Sequence, residues 1–479
     1  MTAIMSATAQ SRWRVRVFAS VTATPASVVA GTVIFIAYWC FRALARWRDL
    51  QVGAFDAAFF DQIVWNTSRG RIFETSFVPY RFDGQHVEPI LFVFAPAYWL
   101  GAGIPFLLLV QAAVCGLAAV PLFTAARALG LRPSLSAAAA LAYLANPYLH
   151  QALEFDFHPE TMVALPAFTA LWAFASGRSR LGVAGALSVL LFKEDAVFVA
   201  LALALCALRL GHRRPALLLA GCALAWMLFT IGLLMPLARE GHPSDLIQRY
   251  RDISGGFEGG AAIRYALLHP FEAPRLLLQH DRLGSLTRFL VAAPWALLAP
   301  VHLLTLLPGL FLALLSTHPE QVALEVHYAA ELVTLTTIAG LFGFRRLMRV
   351  VPPSILPAAA VVLAATSMWA LGPVSPLADV NGTPPTDAHR RAVDAAVALV
   401  PDGVSVAAQS NLAPRLAHRE ALTEFPGEWE QAGWVLVDRY GIRSSQSLDA
   451  GFDRELARVR ARLTLVFEAD GVAVFRVAP

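Results

Sequence analysis

A chain that repeatedly offers apolar runs as long as a bilayer's hydrocarbon is thick must cross a membrane as helices, because lipid satisfies no backbone N–H or C=O. Runs close to the ~20 residues needed occupy residues 26–45, 104–126, 215–236 and 354–371, with shorter ones between them. Hydrophobic residues make up 57% of the 479 and charged residues 15%, outside the range of soluble globular chains. The pattern predicts an all-α polytopic bundle of roughly eleven spans.

The charged residues set the topology. Arg12, Arg14 and Arg16 precede the first apolar run, and no small-residue cleavage site follows it, so the run is expected to stay as an anchor. Those arginines, with Arg127/Arg132, Arg178/Arg180, Arg209/Arg213/Arg214 and Arg345/Arg346/Arg349, can all be threaded to the cytoplasmic side. The other loops then lie outside: residues 51–88, 155–160, 193–195, 238–285, 316–328 and everything after 371. The expected location is a bacterial cytoplasmic (inner) membrane, N-terminus inside. Residues 89–100 are too short to cross and are expected at the interface, and residues 286–315 read as two short spans broken near Pro300.

Four stretches of the chain differ in character: a tail at 1–25, the bundle at 26–371 with its first outer loop at 46–88, a Pro-marked linker at 372–385, and 386–479. In the last, helical periodicity at 389–400 and 452–462 accompanies strand-like runs at 404–408, 434–437, 463–467 and 472–477, predicting a small α/β extracytoplasmic domain. Cys40, Cys115, Cys206 and Cys222 all sit in apolar runs without paired spacing, which argues against disulfides and a zinc site. The net charge of +4 forms no basic patch, which excludes a nucleic-acid partner.

Polar residues gather where the runs break. FDAAFFDQIVWN carries Asp56 and Asp61 on a helix with an apolar stripe along the membrane surface, Asp61 reading equally as a solvated cap. FDGQHVEPI supplies His86 and Glu88, the latter also an ordinary helix-start acid before Pro89. FDFHPE brings Asp156, His158 and Glu160 into one short turn, and Glu160 too fits a helix start. SVLLFKEDAVFVALAL places Lys193, Glu194 and Asp195 between half-length apolar runs, where ions are costly unless paired or wet. STHPEQVALEVHY adds His327. His and carboxylates together orient hydroxyls, hold phosphates or bind a divalent ion; a metal is admitted, though the spacing matches no metal motif, and no cofactor is demanded. Their arrival on one face predicts a water-filled outer cavity.

The succession FDAAFFDQIVWN, QHVEPILFVFAPAYWL, FDFHPE, LLFKEDA, EVHYAAEL, VAAQSNLAPRLAHRE and WVLVD closely resembles domain-of-unknown-function family 2079 of prokaryotic membrane proteins. That family is distantly similar to GT-C glycosyltransferases, which take a sugar from a polyprenyl-phosphate carrier. The resemblance implies a GT-C-like bundle, a sugar transfer to an envelope glycan or glycoprotein acceptor, and Asp56 at the position of the catalytic base, although Ala57 stands where such enzymes carry a second acid. Asp156 is the alternative base. Asp61, His86, Glu88, His158, Glu160, Lys193, Glu194, Asp195 and His327 are the expected substrate-binding residues, with His86, His158 and Lys193 supplying charge for the leaving phosphate. Two other readings use the same residues: a transporter or flippase for a lipid-linked or small polar solute, coupled at Lys193–Asp195, and a non-catalytic envelope-assembly protein. One-sided charge and missing repeats weigh against transport.

Overall fold

The structure, a computed structural model, describes residues 25–257, 259–352, 354–373, 384–441 and 449–477. The expected N-terminal tail and most of the expected linker lie outside these residues. The first apolar run forms helix Ala26–Arg48; the second is Ile104–Leu117 followed by Ala119–Ala128; the third begins as Arg213–Phe229 and continues to Ala238; the fourth is Ile355–Leu371. Among the described residues four helices are long and apolar enough to cross a membrane, Ala26–Arg48, Ile104–Ala128, Arg213–Ala238 and Pro319–Leu347, and three shorter apolar helices, Ile355–Leu371 among them, accompany these.

Several of the expected spans are interrupted for identifiable reasons. The region expected as two spans around Pro300 divides into His280–Val291, Pro294–Leu298, Pro300–Leu303 and Leu307–Leu314. A proline in a helix interior lacks its N–H and clashes with the preceding turn, and Pro294, Pro300 and Pro308 each open a new segment here. The polar turns at FDFHPE and KED divide the chain in the same way, between Pro147–Glu154 and Ala164–Ala175 and between Ser179–Ser188 and Val197–Arg209. Around these breaks the helices bury one continuous apolar core that includes Trp39, Phe157, Phe168 and Phe174. Helix Arg213–Phe229 instead turns Leu217, Leu218, Leu224 and Leu228 outward, as a lipid-facing surface requires.

The C-terminal residues fold as a five-stranded mixed sheet: β1 (Val406–Ala408), β2 (Leu422–Glu424), β3 (Trp434–Asp438), β4 (Thr464–Ala469) and β5 (Val472–Arg476), in the order β2-β1-β3-β5-β4. β1 runs parallel to both neighbours, while β5 is antiparallel to β3 and β4. Side chains alternate between two cores, as the pleat dictates. Ala407, Val435, Val437, Ala473 and Phe475 pack with Phe452, Leu456 and Val459 of helix Asp449–Arg462. Val406, Ala408, Leu436 and Val474 pack with Val393 and Ala396 of helix Asp387–Ala398.

The second of these cores is not closed by the domain itself, because Leu50, Ala54 and Ala58 of the first loop belong to it. Polar contacts fix the same junction: Leu422 N–H donates to Ser76 Oγ at 2.9 Å, Gln62 Nε2 to the Arg419 carbonyl at 2.8 Å, and the Arg415 guanidinium lies 4.1 Å over the Trp47 ring. A charge at this junction should undock the domain. Ala58→Glu, which buries an unpaired carboxylate at a cost of several kcal/mol, is expected to make the C-terminal residues cleavable at protease levels that leave the wild type whole. An unchanged digestion pattern would mean that the junction does not hold the domain.

Candidate active site in the polar cavity

A cavity of 2070 Å³ opens between the bundle, the first loop and the C-terminal sheet. Asp56, His86, Glu88, Asp156, His158, Glu160, Lys193, Glu194, Asp195 and His327 all line it. Residues from five separated breaks in the bundle thus meet in one space. Asp61 does not: it is buried, accepts from the Tyr98 hydroxyl and pairs with His418 Nε2 at 3.0 Å. Its contacts tie the helix Phe59–Ser68 to the C-terminal domain, so its expected substrate role finds no support in its position.

Asp56 sits in the turn Ala54–Ala58 at φ +75°, a conformation that costs an ordinary residue about 1–3 kcal/mol. Three hydrogen bonds impose it. Gly53 N–H donates to Asp156 Oδ2 at 2.8 Å, Ala54 N–H to Ser410 Oγ at 3.2 Å, and Arg46 Nη2 to the Gln51 carbonyl at 3.0 Å. Asp156 is itself paired with Arg46 at 2.7 Å, both side chains 5% exposed. Asp156 is therefore spent on holding the loop, whereas the Asp56 carboxylate is 28% exposed to the cavity. Burial pushes the Asp156 carboxyl above its usual range against the pull of Arg46.

His158 Nε2 lies 3.3 Å from Asp56 Oδ1. Burial works against the charged ring, but the Asp56 carboxylate, with Glu160, outweighs it and holds the imidazole above its usual value. The His158 and His327 rings stack with centroids 3.5 Å apart and planes 12° from parallel. Lys193 Nζ donates to Glu160 Oε1 at 2.8 Å, and His86 Nδ1 and Val87 N–H hold Glu194 at 2.8 and 2.9 Å. Glu88 and Asp195 line the cavity with one carboxylate oxygen each unpartnered.

The donor atoms of His158, Glu160 and His327 come within 4.8 Å of one another, near enough for this trio to be considered a metal centre. It does not fit one. The stacked rings lie in nearly parallel planes and do not converge, His158 Nε2 is committed to Asp56, and the Lys193 ammonium takes Glu160 Oε1, placing a positive charge beside the trio.

Sequence reasoning assigned the phosphate charge to His86, His158 and Lys193, yet each already has a carboxylate partner. Two cavity-lining arginines have no carboxylate partner among the described residues: Arg249, which donates to the Tyr328 hydroxyl at 3.1 Å, and Arg239, which donates only to the Gly84 carbonyl at 3.4 Å. Arg46 was missed as well. Its signal was legible: Arg42, Arg46 and Arg48 end the first helix on the side expected outside, against the arginine pattern of the other loops.

A helical bundle with apolar outer faces, broken around a polar chamber and closed by a docked α/β domain, defines an integral membrane protein with an enclosed polar site. The chain belongs to the family described as Predicted membrane protein (DUF2079), whose model matches residues 46–474. No curated protein sequence matches it. Among solved structures it is similar to ArnT from Cupriavidus metallidurans, crystallised bound to undecaprenyl phosphate, at a TM-score of 0.51 and 13% identity over 94% of this chain and 99% of that one. At that identity the likeness shows the fold, the GT-C-like bundle implied by the motif order.

The raised His158 value gives a signed prediction. The His158–Asp56 pair contributes stability in full below the unfolded imidazole value of about 6.5, and loses it as pH rises through the higher folded value. Melting temperatures of wild type against His158→Gln from acid to alkaline pH should therefore converge on the alkaline side. A constant gap across that range would show that the pair is uncharged.

Proposed function

We propose that this protein is a membrane glycosyltransferase that moves a sugar from a polyprenyl-phosphate donor to an envelope acceptor at the outer face of the cytoplasmic membrane. The observation that carries the reading is the strained, clamped Asp56, whose carboxylate faces a cavity that also holds guanidiniums without a carboxylate partner among the described residues, Arg249 beside the Tyr328 hydroxyl and Arg239. A fold shared with a protein bound to undecaprenyl phosphate supports it.

The chemistry follows from the positions. The acceptor hydroxyl loses its proton to Asp56 as its oxygen attacks the anomeric carbon; the bond from that carbon to the phosphate oxygen breaks, and the electron pair leaves on the lipid phosphate. Negative charge grows on that phosphate, where Arg249 and the Tyr328 hydroxyl can receive it. His158 orients Asp56 by its 3.3 Å contact, and its stack on His327 fixes the ring. Ile231, Met235 and Leu312 give the cavity an apolar side suited to a polyprenyl tail.

The unpartnered carboxylate oxygens of Glu88, Glu160, Asp195 and Glu331 around Lys193 favour, as a second reading, an ion-coupled carrier. The two separate in proteoliposomes given a polyprenyl-phosphate sugar. Asp56→Asn keeps the side chain's size but not its proton acceptor, so turnover should fall by about 10²–10⁴-fold with undecaprenyl-phosphate binding intact. Full turnover by the variant would remove Asp56 as base, and solute movement without bond cleavage would favour the carrier.

Lys193 supplies a further test. It is the only lysine in the sequence and lies among Glu160, Glu194 and Asp195, where a compact ammonium fits and a planar guanidinium does not. Lys193→Arg should lose nearly as much turnover as Lys193→Ala, both proteins still inserting in the membrane. Wild-type turnover by Lys193→Arg would show that only charge matters there.

A further inference from the structure

We infer that the cavity wall contributed by the C-terminal domain is the acceptor subsite, and that it takes an uncharged, polyhydroxylated group, a glycan hydroxyl, in preference to a phosphorylated acceptor. This inference rests on the glycosyltransferase reading and extends it to the second substrate.

Two separate sets of contacts tie the Asp56 turn to the cavity walls, one from Asp56 itself and one from Ala54. One passes through His158, His327 and Tyr328 to Arg249, the basic end of the cavity. The other passes from Ala54 N–H to Ser410 Oγ and on to Asn411, Asp438 and Tyr440. A base that takes the acceptor's proton while the phosphate leaves must stand between the two substrates. With the phosphate drawn to Arg249, the acceptor is left the Ser410 side.

That wall has the chemistry of a saccharide site. The ring of Tyr440 is 74% exposed and lines the cavity, a flat amphipathic surface beside polar groups. Asn411 is 2% exposed and donates to Asp438 Oδ2 at 2.8 Å, while its own carbonyl oxygen has no hydrogen-bond partner among the described residues. A buried acceptor left unpaired costs free energy, and a sugar hydroxyl would satisfy it. Both side chains are held by glycines: a Cβ on Gly471, at φ +80°, would strike the Tyr440 ring, and one on Gly441 would strike the Asn411 amide.

Charge decides between acceptors. Among the described residues, the cavity lining from this domain includes the carboxylates of Asp438 and Asp470 and no Lys or Arg. His389 is committed to Asp438 Oδ2 at 3.0 Å and to the Asp470 carbonyl at 2.9 Å. Among the described residues on this side, a phosphate would meet carboxylates without a guanidinium or ammonium to receive it.

The test uses full-length protein in nanodiscs, titrated by microscale thermophoresis with mannotriose, N-acetylchitotriose, their phosphorylated forms and, separately, undecaprenyl phosphate. At least one neutral trisaccharide should bind, its phosphorylated form about tenfold or more weakly. Tyr440→Ala and Asn411→Ala should each lose about tenfold in that affinity while melting temperature and undecaprenyl-phosphate affinity stay at wild-type values. Tyr440 is a surface side chain, so its variant decides even if Asn411→Ala unfolds. The inference is overturned if no neutral saccharide binds, if phosphorylated forms bind as well or better, or if Tyr440→Ala binds like wild type. Failure of the wild type to bind undecaprenyl phosphate counts against the donor reading instead.

Discussion

The buried pair Arg46–Asp156 is the interaction on which the rest of the site depends. Two charges at 5% exposure are expensive to desolvate, and the cost is offset here because both Nη atoms of Arg46 and both carboxylate oxygens of Asp156 have partners. Arg46 also donates to the Gln51 and Phe155 carbonyls, and Asp156 accepts from Gly53 N–H. The pair therefore joins the end of the first helix, the FDFHPE turn and the first loop at a single point. Losing one partner of such a pair costs about 3–5 kcal/mol, and here the loss would fall on the turn that presents Asp56.

A second regularity is that three of the cavity's basic groups are each matched with an acid. His86 has Glu194, His158 has Asp56 and Lys193 has Glu160. Ionisable groups between apolar runs survive on these terms, since pairing lowers the penalty of leaving water. The matching gives Arg249 its meaning. A guanidinium that lines the cavity with only a tyrosine hydroxyl for a side-chain partner is free to receive an anion, and the lysine that composition singles out is not.

Much of this was legible in the sequence, and what was not shares a cause. Apolar length located the Ala26–Arg48 and Ile355–Leu371 helices, and the 2-residue and 3.6-residue periods located four of the five strands and both helices of the C-terminal sheet. β2 escaped because Leu422–Glu424 is three residues long and carries no alternating pattern to read. The breaks at Pro294, Pro300 and Pro308 could be anticipated in kind but not in number. Ten of the eleven expected site residues line one cavity, because ions in an apolar chain have few places to go. The partner of each was invisible: Asp156 with Arg46 and Asp61 with His418 are contacts between residues far apart in sequence, and spacing says nothing about them.

The docking of the C-terminal domain explains why a membrane protein of this plan carries such a domain at all. A loop that leaves the first helix and runs along the bundle has water on its other side, and water does not hold a carboxylate-bearing residue at φ +75°. Ser410 replaces that water with a fixed acceptor for Ala54 N–H, while Leu50, Ala54 and Ala58 gain an apolar core to enter. The bundle clamps the same loop from below through Arg46 and Asp156. Strain persists only where its surroundings over-determine it, and two clamps from opposite sides meet that condition. It follows that the domain acts on the chemistry of the cavity through the shape of the first loop as well as through the wall it lends. An undocked domain would leave Asp56 attached, ionisable and in the wrong place.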